Sequence, residues 1–227
     1  MTLDELILQF RSDADDRVGT DQAGDYLFET ADIVGWLNEA QEEAADRALL
    51  LRESNLDEIC NIAVTAGTTV YPVHELVLNI TRAAFTPTGG AQEYILTQYD
   101  ELELDRIRPS WRSNTDVPRD FIHNETSIRL GCIPSSDGNI RIECYRLPLV
   151  NMEDSETEAP EIHRQSHRAL VHWALYRGYS RPDAEVFDKD RAAKELARFE
   201  RVFGLKVDAK QHRNKMANRP LFNKAVW

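Results

Sequence analysis

The sequence predicts an α+β protein, a helical bundle of three or four helices with an inserted antiparallel β module and an extended C-terminal tail. Two stretches with helical periodicity, residues 1–55 and 151–205, flank a stretch of β-branched runs and turn signals at 56–150. Residues 206–227 show neither the periodicity of a helix nor the alternation of a strand. Because each helical stretch has an apolar face that needs a partner, we expect the two stretches to pack together.

The first stretch contains two predicted helices. Thr2 and Glu5 have the spacing of a capping box, and four apolar residues after Thr2 share one face: Leu3, Leu6, Ile7 and Phe10. After a loop rich in Asp and Gly, a long helix is predicted from about residue 30 to Arg52. Its apolar stripe consists of Ile33, Trp36, Leu37, Ala40, Ala44, Ala48 and Leu51. Acidic residues on its opposite face include Glu39, Glu42, Glu43 and Asp46.

The middle stretch predicts a compact antiparallel module. The runs "EICNIAVTAG" and "TTVYPV" are divided by a turn, and "LVLNITRAAF" and "EYILTQY" form a second pair around "TPTGG". A short helix is expected to stop before Pro109. Three more predicted strands follow: "RDFIHN", "TSIRLGCI" and "NIRIECYRL".

The second helical stretch predicts a helical hairpin. Residues 162–178 are apolar on nearly all sides, so we expect deep burial, with Gly178 as the helix stop. Ser180 and Asp183 suit a capping box for the next helix, which is expected to end at Gly204.

Composition and charge limit the function. With 42% hydrophobic and 29% charged residues the chain is globular, and no apolar run approaches the roughly 20 residues of a membrane helix. Of the net charge of −12, residues 206–227 contribute +5 and the rest −17. Such an acidic body repels phosphate and is not expected to grip nucleic acid. Three cysteines, Cys60, Cys132 and Cys144, lack C-x-x-C spacing and are expected to be reduced.

Candidate metal sites do not meet the requirements of known motifs. His163 and His167 are four residues apart, but "HRQSH" lacks the Glu of a zinc protease. An EF-hand that begins at Asp13 would place Val18 and Gly24 where Gly and Glu are required. A solvated acidic loop is therefore the preferred interpretation of Asp13, Asp15, Asp16, Asp21 and Asp25.

Catalytic motifs are not recognised either. Ser166 and His167 are neighbours that point apart on a helix, and Gly89 and Gly90 form a turn without a P-loop Lys. Cys132 and Cys144 are interpreted as core residues. Four carboxylates are interpreted as a solvated face: Asp100, Glu101, Glu103 and Asp105. We predict no enzymatic activity, no cofactor and no bound metal.

The tail combines cations with large apolar side chains. The cations are Arg213, Lys215, Arg219 and Lys224, and the apolar residues are Leu221, Phe222, Val226 and Trp227. A disordered terminus is one interpretation, but this composition is typical of segments that become ordered on a partner. We predict that these eight residues dock on another protein.

The order of these features resembles the head-to-tail adaptor proteins of tailed bacteriophages. The resemblance rests on "ADIVGWLNEAQEEAADRALLLR" before "EICNIAVTAGTTVYPV", on "RPSW" before "VPRDFI", on "CYRLP", and on the helical hairpin, and it covers about residue 27 to Gly204. It implies a ring, usually of twelve copies, docked beneath the portal protein ring of the capsid. It also implies contact with a tail nozzle or tail-tube protein, and a C-terminal segment that inserts between or along portal subunits.

Several expectations follow from this resemblance. The chain would be a structural virion protein at the head–tail interface, made in the cytoplasm of a bacterial host, past which double-stranded DNA slides without specific binding. Glu39, Glu42, Glu43 and Asp46 would either line the channel or lie between subunits. The alternative function is a nucleic-acid-binding accessory protein that uses the basic tail on phosphate.

Overall fold

The computed structural model describes residues 1–16, 26–153, 157–182 and 187–206. In chain order its helices are α1 (Leu3–Ala14), α2 (Thr30–Ala48), α3 (Asp57–Cys60), α4 (Glu101–Ile107), α5 (His167–Tyr179) and α6 (Lys189–Phe203). The strands are β1 (Leu51–Glu53), β2 (Asn61–Val64), β3 (Val70–Pro72), β4 (Val77–Pro87), β5 (Tyr94–Gln98), β6 (Thr115–Asp116), β7 (Asp120–Asn124), β8 (Ser127–Leu130), β9 (Ile133–Pro134) and β10 (Gly138–Arg146). The α+β class is confirmed.

The described residues form two compact units. The helical unit joins residues 1–51 to 147–206, and the β unit comprises residues 52–146. Each unit has a hydrophobic core of its own.

Helix α5 is the centre of the helical unit. It contacts α1, α2 and α6, and α1 and α2 also contact each other. This position explains its apolar sequence, because a helix with neighbours on several sides has no wide solvent face. The expected deep burial is confirmed for Leu170, Val171 and Ala174, which are completely buried.

Capping residues set the starts of α1 and α6. Thr2 accepts a hydrogen bond from the Glu5 N–H and the Glu5 carboxylate accepts one from Thr2, so the predicted capping box of α1 is present. The predicted capping of the last helix by Ser180 is wrong, and Asp183 lies outside the described residues. Asp188 caps α6 instead, with its side chain accepting from the N–H groups of Asp190 and Arg191.

Helix α2 is shorter than the sequence predicted. Leu49 adopts a left-handed conformation with φ of 49°, which ends the helix after Ala48. Leu51 therefore begins strand β1 rather than completing the apolar stripe of α2.

Gly178 is not a helix stop. It lies inside α5, and a Cβ atom there would be 3.1 Å from Cε1 of Phe28. Phe28 packs edge-to-face on Phe10, with ring centroids 5.3 Å apart. Glycine at 178 therefore makes room for the aromatic cluster of this core.

The β unit contains a mixed sheet in the order β1-β10-β4-β5-β7-β8-β3, with β2 also paired to β10. The long central pair is antiparallel, with Ile140 opposite Phe85 and Ile142 opposite Ala83. The predicted β4–β5 hairpin is confirmed by the pairing of Phe85 with Tyr94. The runs around β2 and β3 do not pair with each other, since β2 pairs with β10 and β3 with β8.

The prediction of a purely antiparallel module is wrong. Strands β5 and β7 are parallel, with Thr97 opposite Asp120, and so are β6 and β9. Parallel neighbours need a crossover connection, and the segment that contains α4 provides it between β5 and β7. The short helix that the sequence predicts before Pro109 is present as α4, and the crossover through it lets β5 and β7 run parallel.

Candidate docking and assembly surfaces

The root of the C-terminal tail lies against helix α2. Lys206, the last described residue, places its Nζ 2.6 Å from Glu43 Oε1. Arg47 Nη1 donates to the carbonyl of Gly204 at 3.3 Å. The eight predicted docking residues lie outside the described residues: Arg213, Lys215, Arg219, Leu221, Phe222, Lys224, Val226 and Trp227. Gly204 and Lys206 therefore hold the last described residues on α2.

Arg47 is the main residue that the sequence interpretation missed. Its side chain is only 3% exposed, and its guanidinium lies 5.1 Å from the Trp173 ring centroid and 5.3 Å from that of Phe199. It also donates to Glu43 Oε2 at 2.9 Å. The sequence does not predict this burial. A charged side chain on the polar face of a helix ordinarily keeps its charged group in water.

Two of the four predicted acidic residues on α2 are neutralised within the chain. Glu39 pairs with Arg177 at 3.2 Å, and Glu43 pairs with Arg47 and Lys206. Burial alone would raise the pKa of Glu43, but the hydrogen bonds from Lys206 and Arg47 outweigh it and hold the pKa below its ordinary value. These two carboxylates are therefore part of the internal structure of the helical unit.

The other two acids leave an outward stripe on α2. Glu42 is exposed and Asp46 half-buried, and within the described part of the chain neither forms an ion pair. Gly35 lies on the same face, seven and eleven residues before them, and is also exposed. A Cβ atom at Gly35 would meet nothing within 4 Å.

This empty space makes Gly35→Ala a stabilising substitution. We expect it to raise the free energy of unfolding by about 0.5–1 kcal/mol, because glycine in a helix interior costs about that much relative to alanine. Thermal unfolding followed by circular dichroism measures the change. Gly178→Ala is the matched control: its Cβ would lie 3.1 Å from Phe28, so it should give no such gain.

Helix α6 presents an outward basic stripe. Ala192, Phe199 and Phe203 are buried on its inner side, whereas Lys194, Ala197 and Arg201 are exposed on the opposite side. Among the described residues neither Lys194 nor Arg201 forms an ion pair, although neighbouring Arg198 donates to Glu195 at 2.6 Å. The helical unit therefore carries an acidic stripe on one helix and a basic stripe on another.

The two candidate histidines do not share one face of a helix, as their four-residue spacing suggested. His163 precedes the helix and accepts a hydrogen bond from the Gln165 N–H, while His167 is the first residue of α5. Nε2 of His167 donates to the carbonyl of Ile162 at 2.8 Å, and its Nδ1 lies 3.0 Å from the carbonyl oxygen of Met1. The four-residue spacing is thus not helical, and the buried His167 has both ring nitrogens engaged. No cluster of three or more metal-binding side chains is found within the described residues.

One carboxylate of the acidic loop, that of Asp16, is buried and not solvated. Asp16 is 5% exposed and lies 2.7 Å from Arg11 Nη1. It also accepts hydrogen bonds from the N–H groups of Leu27 and Phe28. The interpretation of Asp16 as solvated is wrong, because those backbone donors and a buried guanidinium require an anion. Asp21 and Asp25 lie outside the described residues.

The carboxylates near α4 have structural partners. Asp100 accepts from the Glu103 N–H as the helix cap, and Glu101 pairs with Arg129 at 3.4 Å. Asp105 accepts from Nε1 of Trp111 at 2.8 Å. Leu104, on the same helix, is fully buried, so this segment is only partly a solvated face.

The three cysteines are buried, free thiols. Burial raises the pKa of Cys132 to about 11 and that of Cys144 to about 12. Both thiols therefore stay protonated at neutral pH and are poor nucleophiles. This agrees with their interpretation as core residues.

No helix in the described part of the chain is both long and apolar enough to cross a bilayer.

Comparison with known proteins identifies the family. The model of the family described as SU10 adaptor protein matches residues 1–221, which is nearly the whole chain and extends beyond the region of resemblance noted in the sequence. No curated protein matches the sequence. The match confirms the resemblance to phage adaptors, and the chain belongs to the SU10 adaptor protein family.

Proposed function

We propose that this protein is the head-to-tail adaptor of a tailed phage, forming a dodecameric ring beneath the portal ring. The observation that carries the proposal is the family match over residues 1–221, since this is a structural adaptor family of phage particles. An adaptor of this kind interacts with portal and tail proteins. The ring, the channel for DNA and the location at the virion neck are our extension of that role.

In this proposal each part of the chain has one task. The bundle segments, residues 1–55 and 151–205, form the ring core around the DNA, and the β module at 56–150 faces the tail nozzle or tube. Residues 206–227 dock on the portal. The Lys206–Glu43 ion pair supports this assignment, because it anchors the start of the docking segment on the ring core.

Burial and charge account for portal docking. Each large aliphatic or Phe side chain that becomes buried contributes about 1.5–3 kcal/mol, which applies to Leu221, Phe222 and Val226, and Trp227 adds a larger apolar surface. The tail cations fix the register on acidic portal groups. Ordering one tail costs entropy, so a single copy binds weakly, whereas a ring of copies binds with avidity.

The acidic body suits a passage for DNA. Outside residues 206–227 the net charge is −17, so a channel through a ring of copies does not bind phosphate by counterion release. DNA ejection then needs no chemical step from this protein. Nothing in the described structure assembles a nucleophile, a base and an orienting partner.

The full-length double variant Phe222→Asp with Trp227→Asp tests the docking role. We expect cosedimentation with portal rings to weaken at least about a hundredfold, because two buried aromatic anchors are lost. The control is Leu102→Asp, which changes a side chain that is 67% exposed on the β unit and should leave portal binding unchanged.

Two results would contradict this account. One is full-strength portal binding by the double variant. The other is binding of the wild-type chain to duplex DNA, but not to portal, that disappears between low and moderate salt, which would favour the nucleic-acid accessory function.

A further inference from the structure

Two of the three cysteines form a buried pair in the β unit. Cys60 is the last residue of α3, and Cys144 lies in strand β10. Both are completely buried, and the thiol of each lies within hydrogen-bonding reach of the other. The third cysteine, Cys132, lies immediately before β9 and donates to the carbonyl of Asp116 at 3.5 Å. The chain therefore holds one pair of thiols and one separate thiol.

The backbone brings the two paired cysteines together. Asn61, which follows Cys60 directly, begins β2 and lies opposite Arg141 on β10, three residues before Cys144. Helix α3 itself also contacts β10. A disulfide needs two Cα atoms about 4.4–6.8 Å apart and side chains directed at each other. The strand register and the contact between the thiols together indicate that this pair can be bridged with little movement of the backbone.

Helix α3 is the side of the pair that opens more easily. It is a single turn, Asp57–Cys60, and Arg141 holds its start through an ion pair with Asp57 at 2.6 Å. The Asp57 side chain is 76% exposed, so this ion pair contributes little to stability. Cys144, in contrast, lies in a nine-residue strand and pairs with Ile80 of β4. Local opening of α3 therefore brings Cys60 to solvent while the sheet stays intact.

We propose that Cys60 and Cys144 form a reversible disulfide that clasps α3 to β10. While α3 is closed the pair does not react, because burial raises the pKa of both thiols, that of Cys144 to about 12, and a protonated thiol is a poor nucleophile. The reaction begins when α3 opens and Cys60 meets a small disulfide such as oxidised glutathione.

Two exchange steps close the clasp. The Cys60 thiolate attacks one sulfur of oxidised glutathione, forms a mixed disulfide and releases one glutathione thiolate. When α3 closes, the Cys144 thiolate attacks the Cys60 sulfur and releases the second glutathione thiolate. The two protons of the cysteine thiols end on the two glutathione molecules. The protein thus loses two electrons, and oxidised glutathione gains them.

The redox environment then sets the state of the β unit. In a reducing cytoplasm the pair remains two thiols, and in an oxidising medium it closes. A phage particle passes from the first environment to the second when it leaves its host, so the timing of closure rests on the proposed function, whereas the disulfide itself does not. Once closed, the clasp joins residues far apart in sequence and restricts the unfolded chain.

Oxidation of the folded, full-length chain tests the pair directly. The reduced protein is incubated with oxidised glutathione at mildly alkaline pH, alkylated in denaturant, digested and mapped by mass spectrometry. We expect peptides joined through Cys60 and Cys144, with Cys132 alkylated. Cys132→Ala is the matched control and should close the clasp to the same extent, whereas Cys60→Ala should form no internal disulfide. Oxidised Cys132→Ala should melt at least about 5 °C higher than its reduced form.

Refolding separates native geometry from chance pairing. In an unfolded chain Cys132 and Cys144 meet most often, because they are the two cysteines closest in sequence. Refolding of the wild type from urea, in a mixture of reduced and oxidised glutathione, should nevertheless give mainly the bond between Cys60 and Cys144. This measurement needs no substitution in the core.

Three results would overturn the proposal. The first is a folded chain whose Cys60 and Cys144 thiols stay reduced until urea unfolds it. The second is a bond between Cys132 and Cys144 as the main product of refolding. The third is an oxidised chain that melts no higher than the reduced one. None of these results bears on portal binding, so the proposed function stands or falls separately.

Discussion

Replacing Asp16 by alanine is expected to lower the free energy of unfolding of the helical unit by about 3–5 kcal/mol. The carboxylate is 5% exposed and pairs with Arg11, whose side chain is 9% exposed. Removing one member of a buried ion pair leaves the other charge uncompensated, which costs about that much. The N–H groups of Leu27 and Phe28 also lose their acceptor.

Urea unfolding followed by tryptophan fluorescence measures this loss, because Trp36 lies in the adjacent aromatic cluster, 5.9 Å from Phe28 between ring centroids. Asp13→Ala is the matched control on the same segment. Asp13 pairs with the exposed Arg168 at 2.7 Å, and a surface pair contributes about 1 kcal/mol at most. Equal, small effects of both substitutions would show that Asp16 is solvated after all.

His123 is expected to make the β unit sensitive to acid. It is 6% exposed in strand β7, and neither ring nitrogen has a hydrogen-bond partner among the described residues. Burial lowers the pKa of His123 to about 4, from an ordinary value of 6.5. The folded state therefore resists protonation that the unfolded state accepts, and stability is fully present above pH 6.5 and is lost as the pH falls towards 4.

Comparison of His123→Leu with the wild type isolates this effect. Between pH 7 and pH 4 the difference in unfolding free energy should shift by about 3 kcal/mol in favour of the variant, because leucine has no proton to gain. Phe121→Leu, two residues away in the same strand, should destabilise equally at both pH values. A difference between His123→Leu and wild type that does not change with pH would show that His123 is not buried unpaired.

The elements that the sequence predicted well are those with strong local signals. The capping box at Thr2, the buried character of α5 and the β4–β5 hairpin all follow from spacing or turn residues along one stretch of chain. Interpretation failed where a distant contact decides the local structure. Asp16 looks like a loop carboxylate until the N–H groups of Leu27 and Phe28 are placed beside it, and Gly178 looks like a helix end until the rings of Phe10 and Phe28 pack on it.

The relative direction of neighbouring strands could not be predicted from local sequence patterns, for the same reason. Nothing in the sequence of β5 or β7 distinguishes a parallel from an antiparallel neighbour, since both are short runs that mix apolar and polar residues. The pairing of Thr97 with Asp120 depends on where the connection through α4 returns the chain.

The acidic face of α2 was only partly predictable. Its spacing correctly placed Glu39, Glu42, Glu43 and Asp46 away from the apolar stripe. The sequence could not show that Arg177, Arg47 and Lys206 neutralise Glu39 and Glu43, because those contacts join α2 to α5, to its own next turn and to the tail root. The remaining pair, Glu42 and Asp46, became visible only with the three-dimensional contacts.

Single-particle imaging of the full-length chain mixed with portal rings tests the central claim most directly. The account predicts a ring of copies beneath the portal, with density for residues 213–227 extending between portal subunits. A chain that stays monomeric beside intact portal rings, with Phe222 and Trp227 packed on its own helical unit, would contradict it.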